Sequence, residues 1–368
     1  MTRETPPNKN ELEVSIIGPG RGECVVLHLG DNEWCVVDSC MARGSATPVA
    51  VDYLTGFGNG ALEGLKLVLA THWHDDHIRG LTSLLRHAPN AKFGCSSALK
   101  HQEFLTLVES AKAGTQGRSG VEEFASILDL LLERRDPDQP KELVSPVWAI
   151  ENRLLLNLPA NSRSFPARVT ALSPSDGTVK LALAEIAKLI PQPGADQRRI
   201  VDRSPNHASV VLWVEAGEIR ILLGADLEHT GRVGEGWFAV LASGLDSGRA
   251  ELFKVPHHGS ANGECEQVWT EMLEPDPLTV VTPFLGGVRL PKETDLKRLQ
   301  QRTSKLFCTS AGAGKPPQRD LVVEKKAREI AEERRVISGL PGQVRVRWSF
   351  TEPGKPVIEL FNGAYQVR

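Results

Sequence analysis

His72-Trp73-His74-Asp75-Asp76-His77 gathers three imidazoles and two carboxylates into six consecutive residues. It follows Leu65–Ala70, an apolar run of buried-strand length, and leads into a helix expected from about Ile78. Polar groups at this density are costly to bury without partners. Imidazole nitrogen and carboxylate oxygen are also the ligands that hold zinc, manganese or iron. On a short loop at a strand end, His72 and His74 can address one metal ion while Asp76 and His77 serve a second from the opposite wall. A His-rich surface loop is the plain alternative, and the buried strand that launches this loop argues against it.

Outward from that loop, the chain alternates strand and helix signals. Val14–Ile17 leads to the turn Gly18-Pro19-Gly20-Arg21-Gly22, and Cys24–Leu29 and Trp34–Val37 form a hairpin over Gly30-Asp31-Asn32 that ends at Asp38. Pro48 to Phe57 predicts a helix, and helical patterning runs from about Ser97 to Arg135, with Val121–Glu133 amphipathic, before Asp136–Pro140 breaks it. Strands are expected at Val144–Ile150, Leu154–Leu158 and Val169–Leu172, a helix at Val179–Leu189 and a polar loop over 191–203. Ser209–Glu215 and Glu218–Leu223 form a second hairpin signal ending at Asp226, and Glu251–Val255 runs into Pro256-His257-His258-Gly259. Thr279–Thr282 and Leu306–Thr309 flank a helix near Thr294–Gln301, and a charged helix near 321–335 precedes closing strands at Val344–Phe350 and Val357–Phe361. Hairpins and crossovers together imply mixed sheets flanked by helices.

His72-x-His74-x-Asp76-His77 resembles the signature of the metallo-β-lactamase-fold hydrolases, whose two packed αβ halves each supply metal ligands. The resemblance implies an α/β fold, a four-layer αββα sandwich of two mixed β-sheets flanked by helices. It implies one domain over residues 1–368, with helical insertions at about 97–140 and 176–203 and a helix-strand extension at about 313–368. Asp38 matches the early structural aspartate of that family, Asp226 the aspartate bridging two metals, and His257-His258-Gly259-Ser260 the late histidine motif. The Gly-rich turn before a hairpin, Asn206-x-x-Ser209 placed 20 positions before Asp226, and Val255–Ser260 are similar to one branch in particular. That branch is the hydrolase domain of competence-type DNA-uptake channels and its soluble relatives, and the likeness covers about residues 13–312.

The implied metal ligands are His72, His74, Asp76, His77, His207, Asp226 and His258. Arg79 replaces a glycine frequent in the family, and His74 stands where many of the branch carry aspartate. A third histidine for the first metal position is not obvious. Asn206 occupies its neighbourhood and His207 adjoins it, so either can complete that position. One of His257 and His258 binds metal, and the other is free to contact the leaving group. Two divalent ions, zinc or manganese, would activate a hydroxide held between Asp76 and Asp226. Asn206 and Ser260 would contact a phosphate or carbonyl oxygen. The implied enzyme is a phosphodiesterase or nuclease acting on a nucleic acid or nucleotide. The alternatives are a hydrolase of small esters, lactones or phosphocholine-like groups, and a conditionally active subunit of a larger assembly such as a bacterial defence complex.

Composition narrows the partners. Lys plus Arg total 43 against 46 acids, a formal charge of −3, which excludes a generally basic nucleic-acid coat. Aromatic residues are 5% of the chain, so sequence-specific recognition of bases by stacking is not supported. Arg198, Arg199 and Arg203 in the second insertion suit phosphate oxygens, and the amphipathic helices of both insertions suit a lid or a platform for a protein partner. The six cysteines form no Cys-x-x-Cys pair, as expected of free thiols in a reducing cytoplasm. No apolar run approaches the ~20 residues of a membrane span, and no signal-peptide core follows Met1, so a cytoplasmic chain without membrane contact is expected. His28 reads as a core or edge residue and His87 and His101 as surface residues, while His229 reads as a helix-start or surface residue. Gly312-Ala313-Gly314-Lys315-Pro316 lacks the spacing of a phosphate loop.

Overall fold

The computed structural model describes residues 5–368 apart from 20–21, 43, 59, 113–119, 136–139, 162, 191–205, 245–247, 287, 311–340 and 353. In the first half of the chain, β1 (Glu11–Gly18), β2 (Cys24–Leu29), β3 (Trp34–Val37), β4 (Leu65–Ala70), β5 (Lys92–Ser96) and β6 (Val147–Ala149) lie side by side in that order. The first three pair antiparallel, and β3 to β6 pair parallel. Asp31 and Asn32, at φ 53° and 59°, close the β2–β3 hairpin with a turn whose twist suits the flanking strands.

The second half repeats the plan with β7 (Arg153–Leu158), β8 (Ala167–Ala171), β9 (Leu212–Ala216), β10 (Ile219–Leu223), β11 (Ala250–Lys254), β12 (Leu273–Val281) and β13 (Leu306–Cys308). Here β7 to β10 are antiparallel and β10 to β13 parallel. The chain then returns: β14 (Gly342–Ser349) pairs with β1, β15 (Val357–Phe361) with β14, and β16 (Tyr365–Gln366) with β13, giving two sheets of eight strands. Inward-facing residues such as Val14, Ile16, Leu67, Val214, Leu252 and Val280 form one apolar layer between the sheets. Separate apolar layers fill the space under the helices on each outer face. The fold is therefore the expected four-layer αββα sandwich.

Several boundaries differ from the sequence expectation. Val144 ends a short helix, Lys141–Val144, which confines β6 to three residues. β12 starts at Leu273, earlier than Thr279, because Pro275 and Pro277 hide its first half from a propensity reading. The helix Gly236–Ala242 and strand β16 were not anticipated, since two to seven residues carry little periodic signal. The loop at 191–203 with its arginines, Gly312–Pro316 and the charged helix near 321–335 lie outside the described residues, as does most of the break at 136–140.

The helices Gln102–Lys112 and Gly120–Glu133 pack Phe104, Leu107, Phe124 and Ile127 into the layer beneath the first sheet. Their apolar faces are thus spent inside the fold, which removes the amphipathic argument for a lid there. Gly120 is required at this junction, since a Cβ would stand 2.0 Å from the Trp73 carbonyl oxygen. Among the described residues no helix is long and apolar enough to cross a membrane. All six cysteines are buried free thiols.

The outer face of β1 and β14 carries a buried polar network. Tyr53 Oη and Ser15 Oγ donate to Glu13 Oε1 at 2.7 and 2.9 Å, and Arg347 Nε donates to Glu13 Oε2 at 2.7 Å. Glu13 is fully buried, so removing its cation strands a charge. Arg347→Met should destabilise the protein by about 3 kcal/mol in chemical denaturation. A loss well under 1 kcal/mol would show that the network does not need this guanidinium.

Candidate metal centre

Parallel strands deliver the polar residues. Asp38 follows β3, the His72–His77 loop follows β4, Asp226 follows β10 and His257-His258 follow β11. All four lie at carboxyl ends of strands, where open α/β sheets leave a crevice for ligands. Asp76, His77, Asp226 and His258 converge there, with one ligand atom of each within 4.8 Å of all the others. His77 Nε2 lies 3.4 Å from Asp226 Oδ2 and 3.6 Å from Asp76 Oδ2, and His258 Nε2 lies 3.4 Å from each carboxylate.

Hydrogen bonds behind the histidines dictate which nitrogen faces the centre. His77 Nδ1 donates to Asp38 Oδ2 at 2.7 Å, and His258 Nδ1 donates to the Thr282 carbonyl at 2.9 Å. Thr71 Oγ1 donates to Asp38 Oδ2 at 2.7 Å, so it accepts from His72 Nδ1 at 2.9 Å. Each ring therefore turns Nε2 inward. The Nε2 atoms of His72, His77 and His258 and Oδ1 of Asp226 are buried without a hydrogen-bond partner. Buried polar atoms are rarely left so. A convergent set of imidazole lone pairs and carboxylates with fixed second partners is the environment a divalent cation requires, so the residues present fit a metal.

The backbone is strained to hold this arrangement. Asp38 (φ 60°), Ala225 (φ 46°), His257 (φ 46°) and His258 (φ 52°) all occupy the left-handed region, at about 1 kcal/mol each. Gly22 backs the loop. It takes φ 122°, and a Cβ there would meet the Asp76 carbonyl oxygen at 1.8 Å.

Two further residues escaped the sequence reading. Lys254, buried in β11, donates from Nζ to Glu23 Oε1 and, at 3.0 Å, to the Ala225 carbonyl. Glu23 Oε2 stands 3.6 Å from His258 Nδ1 and Oε1 stands 3.9 Å from His77 Nδ1, beneath both rings. A lysine interrupting the apolar run Leu252-Phe253-Lys254-Val255 was the available signal.

The expected site residues are not all brought together. His74 packs edge-on against His72, ring centroids 4.5 Å apart, beside the four-residue cluster. His207, expected as a ligand, stands outside the cluster. Its Nε2 lies 3.9 Å from Glu185 Oε1 on the helix Asp176–Leu189. Of the adjacent late histidines, His258 enters the cluster. His257 stays outside, with Nδ1 3.5 Å from Glu228 Oε1 and Nε2 3.4 Å from Asn206 Nδ2. Ser260, expected to touch substrate, lines a small cavity with Trp237, Cys265 and Trp269. His28 is buried in β2 with Nδ1 bonded to the Glu11 carbonyl, and burial lowers its pKa to about 4. His87 is exposed, His101 and His229 are half-buried, and none of the three joins the cluster.

The sequence matches the Metallo-beta-lactamase superfamily family over residues 17–283. The chain belongs to the metallo-beta-lactamase superfamily. Solved structures with distant likeness include the metallo-beta-lactamase fold protein YhfI from Bacillus subtilis, at 12% identity over 67% of this chain and 70% of that one, TM-score 0.34. The metallo-beta-lactamase SMB-1 is 12% identical over 70% of this chain and 82% of its own, TM-score 0.34. A variant of CmlA beta-hydroxylase is 14% identical over 68% of this chain and 36% of that longer one, TM-score 0.33. No curated protein matches the chain. The metallo-beta-lactamase superfamily is mostly one of metal-dependent hydrolases, and the Asp76, His77, Asp226, His258 cluster is the candidate metal site of this member.

Burial opposes charge on His258, yet Asp226, Asp76 and Glu23 outweigh it and push its pKa up to about 10. His77 is raised in the same way by Asp226, Asp76 and Asp38. Asp226 is held below the ordinary carboxylate range by His258 and His77 in spite of burial. His72, buried beside His77 and His74, is pushed well down and is neutral. Near neutral pH a metal must therefore displace protons from His77 and His258. Calorimetric titration of chelator-stripped protein in buffers of different ionisation enthalpy should show proton release. Affinity should fall as pH falls, by about tenfold per pH unit for each proton displaced. Affinity independent of pH between 6 and 8 would remove these two imidazoles from the ligand set.

Proposed function

We propose that the protein is a phosphodiesterase or nuclease of the metallo-beta-lactamase superfamily, acting on a nucleic acid or nucleotide and using two divalent ions, zinc or manganese. Support comes from the likeness of the Gly18–Asp38 hairpin region, Asn206-x-x-Ser209 and Val255–Ser260 to the hydrolase domain of competence-type DNA-uptake channels. The observation that carries the proposal is the division of labour between neighbouring histidines. His258 turns Nε2 into the metal cluster, while His257 stands beside it with Glu228 behind its Nδ1.

A bound divalent ion supplies Lewis acidity and lowers the pKa of a coordinated water toward neutrality. Asp76, His77, Asp226 and His258 would hold that ion, and Asp38 and Thr282 keep the two imidazoles in register. His257 stands beside the cluster with Nδ1 3.5 Å from Glu228 Oε1. It would take a proton from water at Nε2, giving up its 3.4 Å contact with Asn206 Nδ2, and return it to the leaving oxygen, with Glu228 stabilising the charged ring between the two transfers. An alkoxide leaves phosphorus poorly without such a proton. Asp76, whose side chain is 22% exposed, marks the side from which substrate enters.

One observation favours the second reading, a hydrolase of small neutral esters or lactones. The cavity beside His72 and His74 is lined by Trp73, Leu99, Ile186 and Glu185, with no lysine or arginine among the described residues. A panel of DNA, RNA, cyclic nucleotides, bis(4-nitrophenyl) phosphate and neutral esters, each with manganese and with zinc, separates the two. Faster turnover of the esters than of every phosphodiester would overturn the phosphodiesterase proposal.

Variants test the division of labour. His257→Ala should lower kcat on a phosphodiester by about 100-fold with metal content unchanged, whereas His258→Ala and Asp226→Ala should lose metal as well as turnover. Wild-type kcat in His257→Ala, or loss of its metal, would reverse the assignment of the two histidines.

A further inference from the structure

We propose that the two metal positions are unequal, and that the second is completed by the amide oxygen of Asn206 and not by an imidazole. The proposal rests on the metal dependence just argued, but not on any particular substrate. Asp76, His77, Asp226 and His258 already offer one ion two carboxylates and two imidazoles. His72 and His74 are left over. The His72 ring lies 4.1 Å from that of His77 and 4.5 Å from that of His74, so a second position would adjoin the first.

His72, His74 and Asn206 line one cavity of about 30 Å³, enough for roughly two water-sized groups. Asn206 is 7% exposed, and its Oδ1 is buried with no partner, as is His72 Nε2. The amide is oriented from behind. Its Nδ2 lies 3.4 Å from His257 Nε2, and its backbone N–H donates to Glu228 Oε1 at 3.4 Å. With Nδ2 turned to His257, Oδ1 is the amide atom left without a protein partner. The hydroxyls of Ser96 and Ser209 line the same cavity, also buried without partners, and suit water carried by an ion. A buried carbonyl left without a cation or donor is destabilising. His207 does not line this cavity and lies beside Glu185 instead.

An amide oxygen is a neutral, hard donor, weaker toward zinc than imidazole and better matched to manganese. The second ion should therefore exchange readily while the first is retained.

Equilibrium dialysis of the chelator-stripped full chain against Mn2+ and against Zn2+, with elemental analysis, tests this. The wild-type protein should keep one ion through gel filtration and bind a second at least 100-fold more weakly. Asn206→His should strengthen the second Zn2+ by tenfold or more, and Asn206→Asp should strengthen the second Mn2+. Asn206→Leu should abolish the second ion and leave the first, and His207→Ala should change neither. Two ions of equal affinity in the wild type would overturn the proposal. So would retention of both by Asn206→Leu, no gain in Asn206→Asp, or loss of the second ion in His207→Ala. If this binding pattern holds and no phosphodiester is cleaved, the proposed substrate fails and the role of Asn206 stands.

Discussion

Lys254 places a full positive charge between the ends of the two sheets, and the centre depends on how that charge is neutralised. Burying an ammonium group costs several kcal/mol unless a counter-charge and further hydrogen bonds meet it. Glu23 supplies the counter-charge, and its pull outweighs burial so that the lysine pKa is raised and the group stays charged. The pair links the two sheets, because Glu23 immediately precedes β2 of the first sheet and Lys254 closes β11 of the second. Through the Ala225 carbonyl the lysine steadies the turn that presents Asp226, and Glu23 N–H donates to the Asp76 carbonyl at 3.1 Å. Its carboxylate lies beneath both His77 and His258. One ion pair thus connects all four members of the metal cluster.

Around that pair, two relays set imidazole chemistry without touching a ligand atom. Asp38 takes hydrogen bonds from the Thr71 N–H, the Thr71 hydroxyl and His77 Nδ1, all at 2.7 Å. It thereby fixes His77 directly and His72 through the threonine. Glu228 stands behind His257, which in turn faces the Asn206 amide. The first relay is fully buried and serves metal binding. The second is part-exposed. The turn holds both neighbouring histidines of the motif in left-handed backbone, and His258 enters the cluster while His257 does not.

The cost of this arrangement is spread through the framework. Four residues near the centre hold unfavourable φ angles, and such strain persists only where surrounding structure over-determines it. The supports are the apolar layer between the sheets and the helix Gly120–Glu133. Gly120 N–H donates to Asp75, and Glu123 accepts from Thr82 N–H at 2.9 Å. The helix Gly120–Glu133, from a segment expected as a lid or a platform for a partner, packs against the loop that carries His72–His77.

Local patterning settled a good part of this protein in advance. The strand before His72, both hairpins and the amphipathic helix after Gly120 were legible because each depends on spacing within a few residues, which chain geometry enforces, while Asp38, Asp226 and the late histidines were legible through the family resemblance. Which residues share the centre was not, because contacts across hundreds of positions leave no periodic trace. Only the folded arrangement separated His258 from His257, turned His207 to Glu185 and Ser260 to another cavity, and brought Glu23 to Lys254. Those outcomes follow from where strand ends meet at the seam of two sheets and from the need of every buried charge for a partner, and a linear sequence specifies neither until the chain has closed.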